Sequence, residues 1–186
     1  MPIETPKYDV LQKDGKFEVR KYLEYIIASV ETGTDFRHAL NEGFGILADY
    51  IFGNNQAKTN IEMTAPVTGQ AMKSTKIEMT APVTSSKIGE GKKYLVSFTM
   101  PSKYSLENLP EPINKRISLQ KIASHQAAAL RFSGYINEKT ISKKTKELET
   151  WLNKNNLKAK SYIVAQYNPP WIPGMFRRNE IIAELS

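Results

Sequence analysis

The chain has 186 residues, 26 lysines and arginines against 19 aspartates and glutamates, two histidines and no cysteine. The absence of cysteine excludes disulfides, iron–sulfur clusters, thiolate-ligated haem and cysteine nucleophiles, and a chain of this length is expected to form one domain that buries roughly 70% of its unfolded surface. The formal net charge of +7 attracts anions without selecting among them. No window reaches the roughly 18 apolar residues of a membrane helix, and the N-terminus lacks an apolar leader, so a cytoplasmic protein without a membrane span is expected.

Tyr8 to Lys13 and Phe17 to Lys21, joined by Asp14-Gly15, predict a β-hairpin, because the Asp-Gly pair supplies the positive φ of a tight turn. Tyr25 to Val30 predicts a third strand. From Asp35 to Phe52 the apolar period turns helical: Phe36, Leu40, Phe44, Leu47 and Ile51 share a narrow arc, with Thr34 or Asp35 as N-cap and Gly53 at the C-terminal end. The octapeptide Ile61 to Thr68 recurs as Ile77 to Thr84. Two copies are too few for a solenoid. They predict a local duplication that lengthens one loop, with one copy packed and the other exposed.

Tyr94 to Met100 predicts a strand stopped by Pro101, and Leu109-Pro110-Glu111-Pro112 is a connector that continues neither a helix nor an inner strand. The order then returns: strands at Ile117 to Ile122 and Gln126 to Phe132, a capped helix at Asn137 to Asn155, and strands at Ser161 to Tyr167 and Glu180 to Leu185. Lys139, Lys143, Lys144, Lys146, Lys154, Lys158 and Lys160 read as a solvated face, since no aromatic or arginine cluster accompanies them. No nucleic-acid partner is expected. The fold class is α+β: antiparallel strands with two helices in a pseudo-twofold repeat of two strand-helix-strand halves, about 1–108 and 113–186, within one domain over 1–186.

Two segments carry chemistry. On the first helix, His38, Asn41, Gly45, Ala48 and Phe52 form a second stripe opposite the core, flanked by Glu42 and Asp49, where charged residues would normally stand. Gly43 and Gly45 each cost about 1 kcal/mol of helix propensity relative to alanine. Two readings stand at this point, a groove for something flat and tight packing against the protein's own chain. The second segment runs from Gln166 to Glu180, where prolines and a glycine set Trp171, Ile172, Met175 and Phe176 beside Arg177 and Arg178. An apolar wall with cations at its rim suits a flat hydrophobic anion such as a porphyrin with propionates; Arg178 and Glu180 also fit a simple ion pair. His38 on the stripe is the candidate axial ligand, His125 a turn histidine. There is no Gly-rich phosphate loop, His-Glu-x-x-His or Gly-x-Ser-x-Gly, and no catalytic residue is assigned.

Phe17-Glu18-Val19-Arg20-Lys21-Tyr22, the Met-Thr-Ala-Pro-Val element at Met63 to Val67 and Met79 to Val83, and Tyr167-Asn168-Pro169-Pro170 leading to Arg177-Arg178-Asn179-Glu180 together resemble the SOUL/haem-binding protein family. The resemblance implies a distorted antiparallel β-barrel with two helices, related to effector-binding domains of the GyrI type. It also implies a shallow hydrophobic site for haem or another tetrapyrrole beside the first helix. Carried to this chain it points to Asn41, Phe44, Gly45, Ala48 and Asp49 and to the loop Pro169 to Arg178. Lys21 stands where some members are thought to carry an iron-ligating histidine, and Asn41, Ala48 and Asp49 replace basic and methionine side chains. The doubled element is a further departure.

The expectation is therefore a monomeric, non-enzymatic carrier, buffer or sensor that binds haem or metal-free porphyrin weakly. Its site is His38, Asn41, Phe44, Gly45, Ala48, Asp49, Phe52, Trp171, Met175, Phe176, Arg177 and Arg178. The alternative is a GyrI-like effector- or partner-binding module for another amphipathic small molecule or an acidic protein.

Overall fold

A computed structural model describes residues 4–33, 35–57, 74–88, 93–168 and 171–186. The alternative cap Thr34, the first octapeptide copy and the Pro169-Pro170 pair lie outside them. The hairpin forms as its sequence dictates: β1 (Tyr8–Asp14) and β2 (Phe17–Tyr22) turn through Gly15 at φ 57°. There follow β3 (Tyr25–Gly33), helix α1 (Phe36–Phe52), β4 (Asn55–Gln56), β5 (Val83–Ile88), β6 (Lys93–Thr99), β7 (Glu111–Pro112), β8 (Ile117–Ile122), β9 (His125–Phe132), helix α2 (Glu138–Lys154), β10 (Ala159–Gln166), a 3₁₀ turn (Gly174–Phe176) and β11 (Asn179–Leu185).

Both helices begin on Asx caps. The Asp35 side chain accepts from the Arg37 and His38 backbone N–H groups, and Asn137 accepts from that of Thr140. α1 stops at Gly53, whose φ of 125° disfavours any residue with a side chain.

Nine strands form one antiparallel sheet in the order β1-β2-β9-β11-β10-β5-β6-β3-β8, and β4 pairs with β7 separately. The order is palindromic in kind: β3-α1-β5-β6 builds one half, β9-α2-β10-β11 the other, and β5 pairs with β10 between them. Each half also takes the strand that precedes the other half's first strand. β2 leads into β3 yet pairs with β9; β8 leads into β9 yet pairs with β3.

The sheet is not closed, since β1 and β8 are its edges. It is nonetheless strongly curled. The two-residue links Leu23-Glu24 and Ala123-Ser124 each join strands six places apart in the sheet, and such links span only about 10 Å. The seam is fastened where the Ser124 hydroxyl donates to Tyr22 O at 2.7 Å and the Tyr22 ring stacks on His125 at 5.4 Å.

Strand alternation then sorts the sheet's two faces. Ile26, Ala28, Val30, Val96 and Phe98 meet Leu47, Tyr50 and Ile51 of α1, while Leu130, Ile181 and Ala183 meet Leu148, Trp151 and Leu152 of α2. The second octapeptide copy seals the C-terminal end of α1: the Ile77 N–H donates to Ile51 O at 2.7 Å, and the Ile77 side chain is fully buried. Thr80, Ala81 and Pro82 are buried too, while Glu78 and Met79 face solvent. Residues of the opposite parity turn away from both helices and line a concave cleft.

Candidate functional site

The helical period divides α1 at its glycines. Gly43 faces the sheet, where a Cβ would stand 2.6 Å from Val96 Cβ, so backbone and strand touch and only glycine fits. A Cβ on Gly45 would meet nothing within 4 Å. Two residues along a helix turn through roughly 200°, which explains why neighbouring glycines do opposite work. Tight packing accounts for Gly43, and open space lies over Gly45.

Along that outward stripe His38, Asn41 and Gly45 are exposed, and Phe52 keeps 57% of its surface in solvent. Ala48 sits at the stripe's inner edge, buried with the core cluster. Phe44 turns inward and packs edge-on against Phe98 at 5.3 Å between centroids. Asp49 accepts from Asn54 Nδ2 at 2.5 Å, closing the helix end. The Lys76 ammonium stands 5.8 Å from the centre of the Phe52 ring. His38 Nδ1 bonds Asp35 Oδ2 at 2.5 Å, which leaves Nε2 pointing away from the cap. This arrangement holds the Asp35 carboxyl below its ordinary range, chiefly through the His38 backbone and ring.

The late loop presents its large side chains to solvent: Trp171 is 79% exposed, Met175 74% and Phe176 73%. It is fastened to the turn before α2, where Gly134 N–H donates to Gly174 O at 2.9 Å and Arg177 lies 4.9 Å from the Tyr135 ring centre. Arg177 Nε also donates to Ile172 O at 2.7 Å. Between the two helices, Glu138 at the start of α2 accepts from the Tyr94 hydroxyl at 3.2 Å, and Tyr94 meets Phe36 of α1 edge-on. The two arginines differ. Arg178 is taken up by Glu180, which its Nη2 meets at 2.8 Å, so that residue is an ion pair first.

On the other face of the sheet the cleft encloses about 530 Å³. It was not legible as a site in the sequence. Tyr8, Tyr22, Tyr25, Tyr167 and His125 line it, from five different strands or strand ends. Behind the tyrosines lies a buried network in which Arg20 donates to both oxygens of Glu180 at 2.7 and 3.0 Å, and the Tyr167 hydroxyl donates to Glu180 at 2.8 Å. Burial alone would raise Glu180; Arg20 and Arg178 more than offset it and hold this carboxyl below its usual range. Burial pushes Tyr25 up to about 12. The signal for this face was the period-two run Glu18, Arg20, Tyr22, polar on one side of β2 while Val19 enters the core. His125 Nδ1 lies 2.9 Å from Ala123 O, so the ring is both turn-bound and part of the cleft wall. Among the described residues no group of three or more histidines, aspartates or glutamates is placed to hold a metal ion.

The profile of the SOUL heme-binding protein family matches residues 3–184. Heme-binding protein 2 of Homo sapiens is 26% identical over 187 residues, covering 96% of this chain and 84% of that protein. In structure, the C-terminal domain of EcmrR superposes with a TM-score of 0.61 at 14% identity, covering 96% of this chain and 98% of that one. A hydrolase from Listeria innocua superposes with a TM-score of 0.59 at 10% identity over 95% and 94%. Proteins of such different kinds share this fold, so the fold by itself does not fix a function.

Proposed function

The chain belongs to the SOUL heme-binding protein family, and from that premise we propose that it binds haem or a related tetrapyrrole on the outward stripe of α1, as a carrier, buffer or sensor and not as a catalyst. The observation that carries this reading is the open space over Gly45, with the exposed Phe52 ring on the same stripe, where glycine and an aromatic ring stand in place of charge. A flat ring can approach that backbone, and a large side chain at 45 would stand in its way. Asn41, Asp49 and the edge of Ala48 border the same surface. In this reading the late loop, fastened to the turn before α2, adds a second apolar wall through Trp171, Met175 and Phe176.

A propionate would meet Lys76 beside Phe52, or Arg177 over the Tyr135 ring on the loop. At about 25 cal/mol per Å², a few hundred Å² of net apolar contact reaches the roughly 8 kcal/mol of micromolar affinity, so no iron bond is required. Bound haem would supply an iron able to take a nitrogen ligand, and His38, whose Nδ1 is held by Asp35 so that Nε2 faces away from the cap, would be the candidate to hold it.

A visible-absorbance titration with haem and with iron-free protoporphyrin tests the reading. Both are expected to bind within about threefold of each other, with Phe52→Ala and Arg177→Glu each weakening both. Binding of haem without binding of the iron-free ring would overturn the version without an iron bond and make His38→Ala the deciding variant.

A further inference from the structure

In the sequence the α2 lysines have no aromatic cluster beside them; the fold brings them one. The four most exposed large hydrophobic side chains among the described residues are Trp171, Met175, Phe176 and Tyr135, the last 65% in solvent. All four belong to one knob. A Cβ on Gly174 would stand 2.6 Å from the Tyr135 ring, so only glycine lets that ring lie against the backbone of the late loop. Tyr135 precedes α2 by three residues. Lys139, Lys143 and Lys146 then follow on one stripe about 10 Å long, all exposed and none in an ion pair among the described residues. From Glu138 to Lys146 the helix has four lysines and one glutamate.

The backbone of the knob is finished differently from a loop tip that lives in water. Ile172 O accepts from Arg177 Nε at 2.7 Å, Pro173 O from the Phe176 N–H at 3.0 Å, and Gly174 O from the Gly134 and Arg177 N–H groups at 2.9 and 3.0 Å. Pro173 has no N–H to leave unpaired. A loop in water can leave its carbonyls to the solvent, whereas one that enters the boundary between headgroups and acyl chains cannot, because an unpaired polar group there is costly. Here three successive carbonyls are satisfied internally while the large side chains around them are bare. Single-stranded nucleic acid would stack on ring faces beside the cations, but the Tyr135 ring already carries Arg177 and Met175 has no face to offer. A bilayer surface asks for what is present: tryptophan, phenylalanine and methionine at a tip, with cations next to it for anionic headgroups.

We infer that this knob is a peripheral membrane-docking surface. Trp171, Met175 and Phe176 enter the headgroup boundary of a bilayer, and Lys139, Lys143 and Lys146 meet its anionic lipids. The haem reading lends the same loop to α1 as a wall; docking needs only the loop's exposure and is tested without haem, so the two stand or fall separately.

The full chain is titrated at physiological salt with vesicles of phosphatidylcholine alone and with vesicles that also hold about 30 mol% phosphatidylserine, followed by sedimentation and by tryptophan emission. Trp151 is buried, so Trp171 is the reporter. The chain is expected to bind the anionic vesicles at least tenfold more tightly than the neutral ones, with Trp171 emission shifted to the blue and quenched by brominated phosphatidylcholine. Met175→Asp and Phe176→Asp should each weaken binding at least tenfold, and Lys143→Glu about threefold, with circular dichroism spectra unchanged. Lys154→Glu, the same charge change at the far end of α2, should leave binding at the wild-type value. The inference is overturned if anionic vesicles bind while Trp171 emission stays unshifted and unquenched, which is the attraction of a basic chain to anionic lipid and nothing more. It also fails if Lys154→Glu weakens binding as much as Lys143→Glu, if neither vesicle binds, or if a single-stranded oligothymidylate shifts Trp171 emission and the vesicles do not.

Discussion

The two helices occupy matching places in the two halves, and their outward faces differ. Each has 17 residues, starts on an Asx cap and buries a matching triplet, Leu47, Tyr50 and Ile51 in α1 and Leu148, Trp151 and Leu152 in α2. Aligned on those triplets, the stripe of α2 that matches His38, Asn41, Gly45, Ala48 and Phe52 carries Lys139, Ser142, Lys146, Glu149 and Asn153. That is how a helix lying on a sheet in water is ordinarily finished. The fold therefore does not require a bare stripe. Small residues and an exposed ring on α1 weaken the helix and its solvation, and folding alone gives no reason for them.

Beneath both helices the clusters are apolar, and on the far side of the sheet the α2 half carries the buried pair of Arg20 and Glu180. Arg20→Met leaves the buried Glu180 with Arg178 as its remaining guanidinium partner and is expected to remove about 3 kcal/mol in denaturant titrations, the low end of the cost of breaking a buried pair. An unchanged midpoint would show that the pair is not buried. Glu180 has a depressed folded pKa, so its contribution is present at neutral pH and is lost as pH falls below about 4.5 toward the folded value. Arg178→Gln relaxes that depression and should move acid unfolding to higher pH.

Of similar size is the effect at the inner face of α1. Gly43→Val drives two methyl groups into Val96 and should cost about 3 kcal/mol by forcing helix and strand apart. The outer face should respond with the opposite sign and the smallest amplitude: Gly45→Ala meets nothing and should raise stability by up to about 1 kcal/mol through helix propensity. Equal effects at 43 and 45 would contradict the division of α1 into a packed and a bare side.

Much of this was readable from local chemistry. Caps, the Asp14-Gly15 turn, both core stripes and the outward stripe follow from spacing and residue type. The period alone also separates Gly43 from Gly45, although it does not say that Val96 is what Gly43 meets. The strand β5 was missed because Thr84-Ser85-Ser86 has no apolar alternation, and it overlaps a repeat that reads as loop; its place is set by β6 and β10 on either side. The cleft was out of reach for a different reason. Arg20 and Glu180 are 160 residues apart, and only the exchange of β2 and β8 between the halves brings the tyrosines into one wall. Arg178, readable as a rim cation or as the partner of Glu180, needed coordinates to decide, since both uses demand the same sequence.

The most direct measurement is a haem titration, followed at the Soret band, of two single variants placed at matching positions of the two helices. Gly45→Trp is expected to lower haem affinity at least tenfold, about 1.4 kcal/mol, with the folded spectrum intact, while Lys146→Trp leaves it at the wild-type value. Equal affinities in the two variants would contradict the assignment of haem to the outward face of α1.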